Sequence, residues 1–312
     1  MNVAPSSAPE MRADGARFRL RFPGLGNLGR AILSNRKAMA GAIMLAIFII
    51  MALVPGLIAP GTPGAELYPP GQGASFDHLL GTTSYGQDIF TQFIWGARAS
   101  LVIAVVAGLL STILSALIGV AAGYLPGMPD GILSLITDVF LVIPAFPLVV
   151  VIAAYSKSGG NLTIIAVLVV TGWAYGARQL RAQVLSLRNR DFLVAARLRG
   201  ERTLRIIVSE ILPNMTSLLV ANFLGASVYA ILTAAGLQFI GLGNVNTDSW
   251  GTMLYWAQNN EALQAGLPLW AIAPGFGIAL LGGAFALLNY AFDEISNPAL
   301  RPVRGRGGRS DP

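Results

Sequence analysis

Six stretches of this 312-residue chain are long and apolar enough to cross a bilayer: about 38–59, 99–124, 131–155, 161–182, 217–242 and 269–292. A crossing helix needs about 20 apolar residues, and backbone polar groups in lipid must find partners inside the protein, which favours helices. The sequence therefore predicts an all-α, polytopic membrane protein with six transmembrane helices. Composition agrees, because 54% of the residues are hydrophobic and 12% charged, about half the charged share of a soluble domain. The first run is preceded by some 37 residues and exceeds the apolar core of about 7–15 residues in a secretory signal, so it reads as a retained helix. The chain divides into an N-terminal segment (1–37), a first helix with an external loop (38–98), a five-helix core (99–292) with a connecting loop at 189–214, and a tail (293–312).

Charge sets the expected orientation. Of the 21 Lys and Arg residues, 19 fall in the N-terminal segment, the 178–205 region and the tail, leaving Arg98 and Lys157 for the other side. Basic residues collect on the cytoplasmic side, which predicts cytoplasmic termini and a cytoplasmic 189–214 loop. The net charge of +6 then reflects topology and anionic lipid headgroups, and nucleic acid is not an expected partner. Residues 18–33 form a weakly amphipathic piece that suits the membrane surface. With no cysteine and a single histidine, His78, disulfides, thiolate metal sites and histidine clusters are excluded.

Between the fourth and fifth runs lies DFLVAARLRGERTLRIIVSEILPN, Asp191 to Asn214. Helix formers precede Gly200, glycine breaks the chain, and a second amphipathic run ends at Pro213. Ala195 and Ala196, then Gly200, Ile207, Ile211, Leu212 and Pro213, resemble the EAA loop of importer-type ABC transporter permeases, in which the loop seats a separate ATPase subunit. Val194 stands where that family usually has Glu, and Glu210 where His is common. The resemblance implies an ATPase-coupling set of Val194, Ala195, Ala196, Arg197, Gly200, Glu201, Arg202, Arg205, Leu212 and Pro213, with Ala195, Ala196 and Gly200 as the close-packed centre of the joint. The arginines suit acids on an ATPase and lipid headgroups equally.

Three more motifs carry the same resemblance, to the oligopeptide, dipeptide and nickel branch. The first joins His78, Leu80, Gly81, Thr82, Gly86 and Asp88 to Gly96, Ala97, Arg98, Ser100 and Leu101, with Thr83 and Gln87 replacing two charged residues. The second joins Gly241, Leu242 and Gly243 to Ser249, Trp250, Gly251, Met253 and Leu254, and implies an external half-helix. The third closes the chain with Asn289, Asp293, Pro298 and Arg301. Asp88 is read either as a helix N-cap or, with Trp250, Met253 and Trp256, as part of an external gate or a contact for a docking protein. The loop tryptophans also suit an interfacial belt.

Inside the membrane, Asn222, Ala226, Tyr229, Thr233 and Gly236 fall on one helical stripe. Asn222, Tyr229 and Thr233 are candidates for a pore lining, although small residues on one stripe equally suit close packing. Asp138 sits in the third run beside Pro144 and Pro147. A carboxylate at membrane depth signals a polar partner or a transport pathway, and a hydrogen bond to a neighbouring helix is the reading adopted for Asp138. The prolines predict a kink.

The resemblance covers about 30–302 and implies the type I ABC importer permease fold: half of a pore, paired with a second permease subunit, two ATPase subunits and an extracytoplasmic substrate-binding protein in a bacterial or archaeal cell membrane. Oligopeptides or dipeptides are the implied substrates, with oligosaccharides or a metal complex as alternatives. No G-x-x-x-x-G-K-[ST] phosphate loop occurs in the chain, so ATP and Mg belong to partner subunits and no catalytic or metal residue is assigned. A secondary transporter would call for more charge at membrane depth than Asp138 supplies. An intramembrane enzyme lacks the clustered acids and histidines it would need.

Overall fold

The structure, a computed structural model, describes residues 35–156 and 160–296, and every regular element among them is helical. The amphipathic piece at 18–33, Lys157, and the tail from 297 with Pro298 and Arg301 lie outside the described residues. Among the described residues, five single helices are long and apolar enough to cross a membrane: α1 (Arg36–Leu53), α3 (Ile89–Tyr124), α6 (Asn161–Leu187), α10 (Thr216–Phe239) and α12 (Pro268–Ser296). A single turn, α2 (Pro55–Ile58), follows α1.

The third apolar run, expected as one kinked helix over 131–155, is two helices. α4 (Met128–Val142) and α5 (Ala145–Tyr155) meet at 90°. The two prolines explain the break in different ways. A residue before proline is pushed out of the α region, and Ile143 takes φ −67 and ψ 129. Pro147 then falls in the first turn of α5, where a missing N–H costs no intrahelical bond.

α3 is 36 residues long, about 54 Å at 1.5 Å per residue. It starts ten residues before the apolar run that marks it in the sequence, because Asp88 caps it: Oδ2 accepts from the Thr91 backbone N–H at 2.8 Å and from its hydroxyl at 2.7 Å. The carboxyl also meets His78 Nδ1 at 3.3 Å, so the external loop is pinned to the helix it precedes.

α3 is the spine against which α6 and α10 pack. One of its faces carries Ser111, Ser115, Gly119 and Gly123, a small residue at every fourth position, which is the spacing that lets membrane helices approach closely. Ser115 donates to the Trp173 carbonyl at 2.6 Å. Where α6 passes, a Cβ added at Gly176 would lie 2.5 Å from Asn222 Oδ1 and 2.7 Å from Ser115 Oγ. α12 closes the other side, packing on α1 and α10.

Between α6 and α10 the chain forms a connector: α7 (Asp191–Leu198), a turn at Gly200 with φ +75, α8 (Thr203–Ile206), a π-helical turn over Ile207–Ile211, and α9 (Leu212–Asn214). In the π turn the Leu212 N–H donates five residues back to the Ile207 carbonyl. α11 (Trp250–Asn259) lies in the loop before α12, started by a capping box between Ser249 and Thr252.

Tight apposition of α3 and α6 yields a stability test. A Cβ at Gly119 would press on the Ala177 carbonyl and lie 3.0 Å from its Cα, whereas at Gly283 of α12 nothing lies within 4 Å. Gly119→Ala should therefore lower the stability of the purified chain in detergent by about 1–3 kcal/mol, read as an earlier thermal transition, while Gly283→Ala leaves it unchanged. Equal melting of the two variants would contradict the packing described for α3.

Candidate functional site

A cavity of about 660 Å³ opens where α3, α6, α10 and α12 face the break between α4 and α5. Residues 140–145 of the break form one wall, so the backbone that leaves helical geometry borders open space. The other walls carry Thr112 and Ser115 of α3, Thr171 and Gln179 of α6, Asn222, Ala226 and Tyr229 of α10, and Asn289 of α12. Among the described residues, no Asp, Glu, Lys, Arg or His lies on its wall.

Of the predicted stripe, Asn222, Ala226 and Tyr229 reach the cavity. Thr233 does not: it is buried one turn further along, and Gly236 backs onto Phe146. Asn222 donates through Nδ2 to the Leu218 carbonyl at 3.1 Å. Two polar atoms of the wall are buried without a hydrogen-bond partner, Tyr229 Oη and Asn289 Oδ1. Each such group costs about 1–3 kcal/mol.

Asp138 is paired with a neighbouring helix, in line with the sequence-based expectation: its Oδ1 accepts from Arg178 of α6. A second pair ties the same two helices, with Arg181 Nε and Nη2 donating to the two oxygens of Asp130 at 2.7 and 3.1 Å. Neither acid reaches the cavity wall.

The connector has two faces. Leu193, Ala196, Ile206, Ile211 and Met215 are buried against Tyr124, Leu180 and Val184 of the chain's own helices. On the opposite face Leu198 is 84% and Leu204 73% exposed, and Val194 and Val208 also stand out. This corrects the expectation for Ala196. Its methyl packs inside the subunit, so of the predicted centre of the joint only Ala195 and Gly200 remain exposed. Leu212 packs partly against the inner face as well, and Pro213 is half-buried.

The arginines divide similarly. Arg197 is engaged within the chain, donating through Nη2 to the Arg188 carbonyl at 2.9 Å and lying 5.3 Å from the Tyr124 ring centre. Glu201 holds Arg199 at 2.8 Å and Arg205 at 3.8 Å across the Gly200 turn, while Arg202 is exposed. Leu198, Leu204 and Val208 were missed by sequence reasoning, although their apolar side chains in a basic segment were the available signal.

At the α11 end a second cavity, of about 390 Å³, is lined by Gln87, Gln92, Asp248, Met253, Trp256 and Trp270 among others. Desolvation raises the Asp248 carboxyl above the usual carboxylate range. Met253, 4% exposed, and the half-buried Trp256 line this cavity. Trp250 does not. It is fully buried, its Nε1 donates to the Phe93 carbonyl at 2.9 Å, its backbone N–H donates to Ser100 Oγ at 3.1 Å, and its ring stacks on Phe93. A docking protein finds no surface there, and Asp88 is occupied as the cap of α3.

Residues 115–302 match the family of binding-protein-dependent transport system inner membrane components. The chain belongs to that family. The matched span takes in the connector, the α4–α5 break and most of the cavity wall of this inner membrane component. Relatives extend the similarity to nearly the whole length. The oligopeptide transport system permease protein OppC of Mycobacterium tuberculosis is 32% identical over 90% of this chain and 96% of its own. The dipeptide transport system permease protein DppC of Bacillus subtilis is 33% identical over 87% and 85%, and the di/tripeptide transport system permease protein DppC of Pseudomonas aeruginosa 32% over 96% and 98%.

With no native cysteine, solvent access to the larger cavity can be mapped one residue at a time. Ala221→Cys and Ala226→Cys, on its wall, should react with a water-soluble maleimide in membranes. Ala234→Cys, two turns beyond Ala226 and 2% exposed, should not. Labelling of the third position alone would remove the cavity as a water-filled space.

Proposed function

We propose that this chain is a permease subunit of an ATP-driven, binding-protein-dependent ABC importer for oligopeptides or dipeptides. It forms half of the translocation pathway beside a second permease subunit, and an extracytoplasmic substrate-binding protein delivers the cargo. Two ATPase subunits, holding ATP and Mg, dock on the connector. The setting is a bacterial or archaeal cell membrane, with both termini and the connector cytoplasmic, as the 19 of 21 basic residues on one side favour. The peptide cargo follows the names of the relatives.

The two-faced connector is the observation that carries this reading. Leucines exposed beyond two thirds on a short helix pair, backed by a fully buried row, suit a rigid lever whose outer face is covered by another protein. ATP-driven closure of the ATPases would press on α7 and α8, and the inner face passes the displacement to α3, α6 and α10. Switching a two-state pathway from 1:99 to 99:1 takes about 5.5 kcal/mol, which this joint must transmit.

The test is recruitment. Leu198→Glu and Leu204→Glu should leave the chain in the membrane but cut ATPase co-purification and peptide uptake at least about tenfold, since each places a charge in an apolar contact. Ala196→Trp overfills the inner face and should instead lower the yield of folded chain. Full recruitment and uptake by both glutamate variants would sink the docking assignment.

A further inference from the structure

The loop that precedes α3 turns apolar side chains outward from a tightly held backbone. Phe76 is fully exposed, and Leu67, Tyr68 and Leu79 of the same loop are exposed as well. Phe76 sits in a turn closed by the Ser75 N–H donating to the His78 carbonyl at 2.8 Å and by the His78 N–H donating to Ser75 Oγ at 3.1 Å. His78 is tied to Asp88, and its ring lies edge-on to that of Tyr68 with centres 4.3 Å apart, which brings residues 67–68 alongside the turn. Thr82 Oγ1 accepts from the Gln72 N–H at 2.9 Å and donates to the Pro69 carbonyl at 2.8 Å. Because the loop is already fixed in shape, covering these side chains costs little further ordering.

Charge decides what covers them. The loop lies at the start of α3, and Tyr124 at the other end of that helix packs against the connector. It meets the α11 segment where the Ser84 hydroxyl donates to Asn260 Oδ1 at 3.3 Å and where Tyr85 packs on Trp256, so the two segments form one face. Glu66, Asp77, Asp248 and Glu261 are exposed on them, and neither residues 55–97 nor residues 240–267 contain a Lys or Arg. Segments that settle on a membrane surface combine apolar side chains with basic ones, which anionic headgroups attract. An acidic face is repelled there. It suits a protein whose own apolar patch is bordered by Lys and Arg. Trp250 and Asp88 are engaged inside the chain, whereas Phe76 is open to a partner.

On the basis of the importer reading, we propose that Phe76, with Leu67, Tyr68 and Leu79 around it, is the knob on which the extracytoplasmic substrate-binding protein docks. That protein meets the knob with an apolar pocket bordered by basic side chains. Asp77, next to the knob, and Glu66 steer the approach.

The test uses the complete complex in nanodiscs and the binding protein that supports its peptide uptake. Since the chain has no cysteine, a bimane label on Phe76→Cys reports the knob, with the equally treated complex of the unsubstituted chain as background. Nitroxide lipids should leave the emission unquenched, and adding the peptide-loaded binding protein should shift it to the blue. Phe76→Ser should weaken binding of that protein at least about tenfold, as loss of a central aromatic anchor does. Asp77→Lys should weaken it about fivefold at about 0.1 M salt and little at about 1 M, where the screening length falls to about 3 Å. Only variants that still bring down the ATPases are compared. Quenching by nitroxide lipids would assign the knob to the membrane, and emission already blue-shifted before the binding protein is added would assign it to the partner permease. Unchanged affinity in Phe76→Ser, or uptake driven by a binding protein that leaves the emission unmoved, would remove the knob from docking. Each of these overturns the proposal and leaves the importer reading standing. A wild-type chain that recruits no ATPase and takes up no peptide overturns both.

Discussion

Close approach of α3 to α6 and α10 governs the architecture. Lipid offers no hydrophobic gain for bringing two apolar helices together, so contact must come from fit and from polar groups that satisfy one another. The row Ser111, Ser115, Gly119 and Gly123 supplies both. Glycines let the backbones meet, and Ser115 bonds across the seam to the Trp173 carbonyl. Packing this tight leaves little room for α4 and α5 in the same layer. They are held at the margin by proline geometry and by the ion pairs of Asp130 and Asp138 with α6, and the space between margin and seam is the cavity.

That arrangement puts charge and neutrality in different places. Carboxylates and guanidiniums meet at the helix edges near the connector, while hydroxyl, amide and aromatic groups face the cavity. Along α10 the same helix is first a wall of open space at Asn222 and Tyr229, then a packed element at Thr233 and Ala234, and finally a support for Trp250 through Gln238 and Ser249. Toward α11 the helix thus reaches a dense cluster of aromatic side chains built on Phe48, Phe93 and Trp250.

Much of this was legible in the residues. Apolar length marked the helices, and the Ala-Ala-x-x-x-Gly spacing marked the connector, where Gly200 does take a left-handed conformation. What stayed hidden depends on which way a side chain faces. Ala196 and Ala195 are chemically the same, and only the packing of α7 on Tyr124 and Val184 turns one inward. Trp250 carried an interfacial composition signal, yet two hydrogen bonds and a stacked ring draw it into the core. The break at Ile143 was underestimated because a proline signals a bend without stating its angle. Asn289 stood in a closing motif that looked like a membrane stop, and nothing local reveals that it leans on Gly225 of α10 at the cavity wall. The four-residue spacing of small side chains on α3 was present in the sequence and is visible once its partner helix is known.

The π-helical turn at Ile207–Ile211 lies inside the connector, between α8 and α9. Relative to α-helical winding it carries one extra residue, which turns α9 by about 100° against α8. Ile206 before the turn and Ile211 at its end are thereby both brought onto the buried inner face, although residues five apart in an α-helix would fall on different sides. The bulge thus lets one short segment keep a continuous apolar row against Tyr124, Leu180 and Val184.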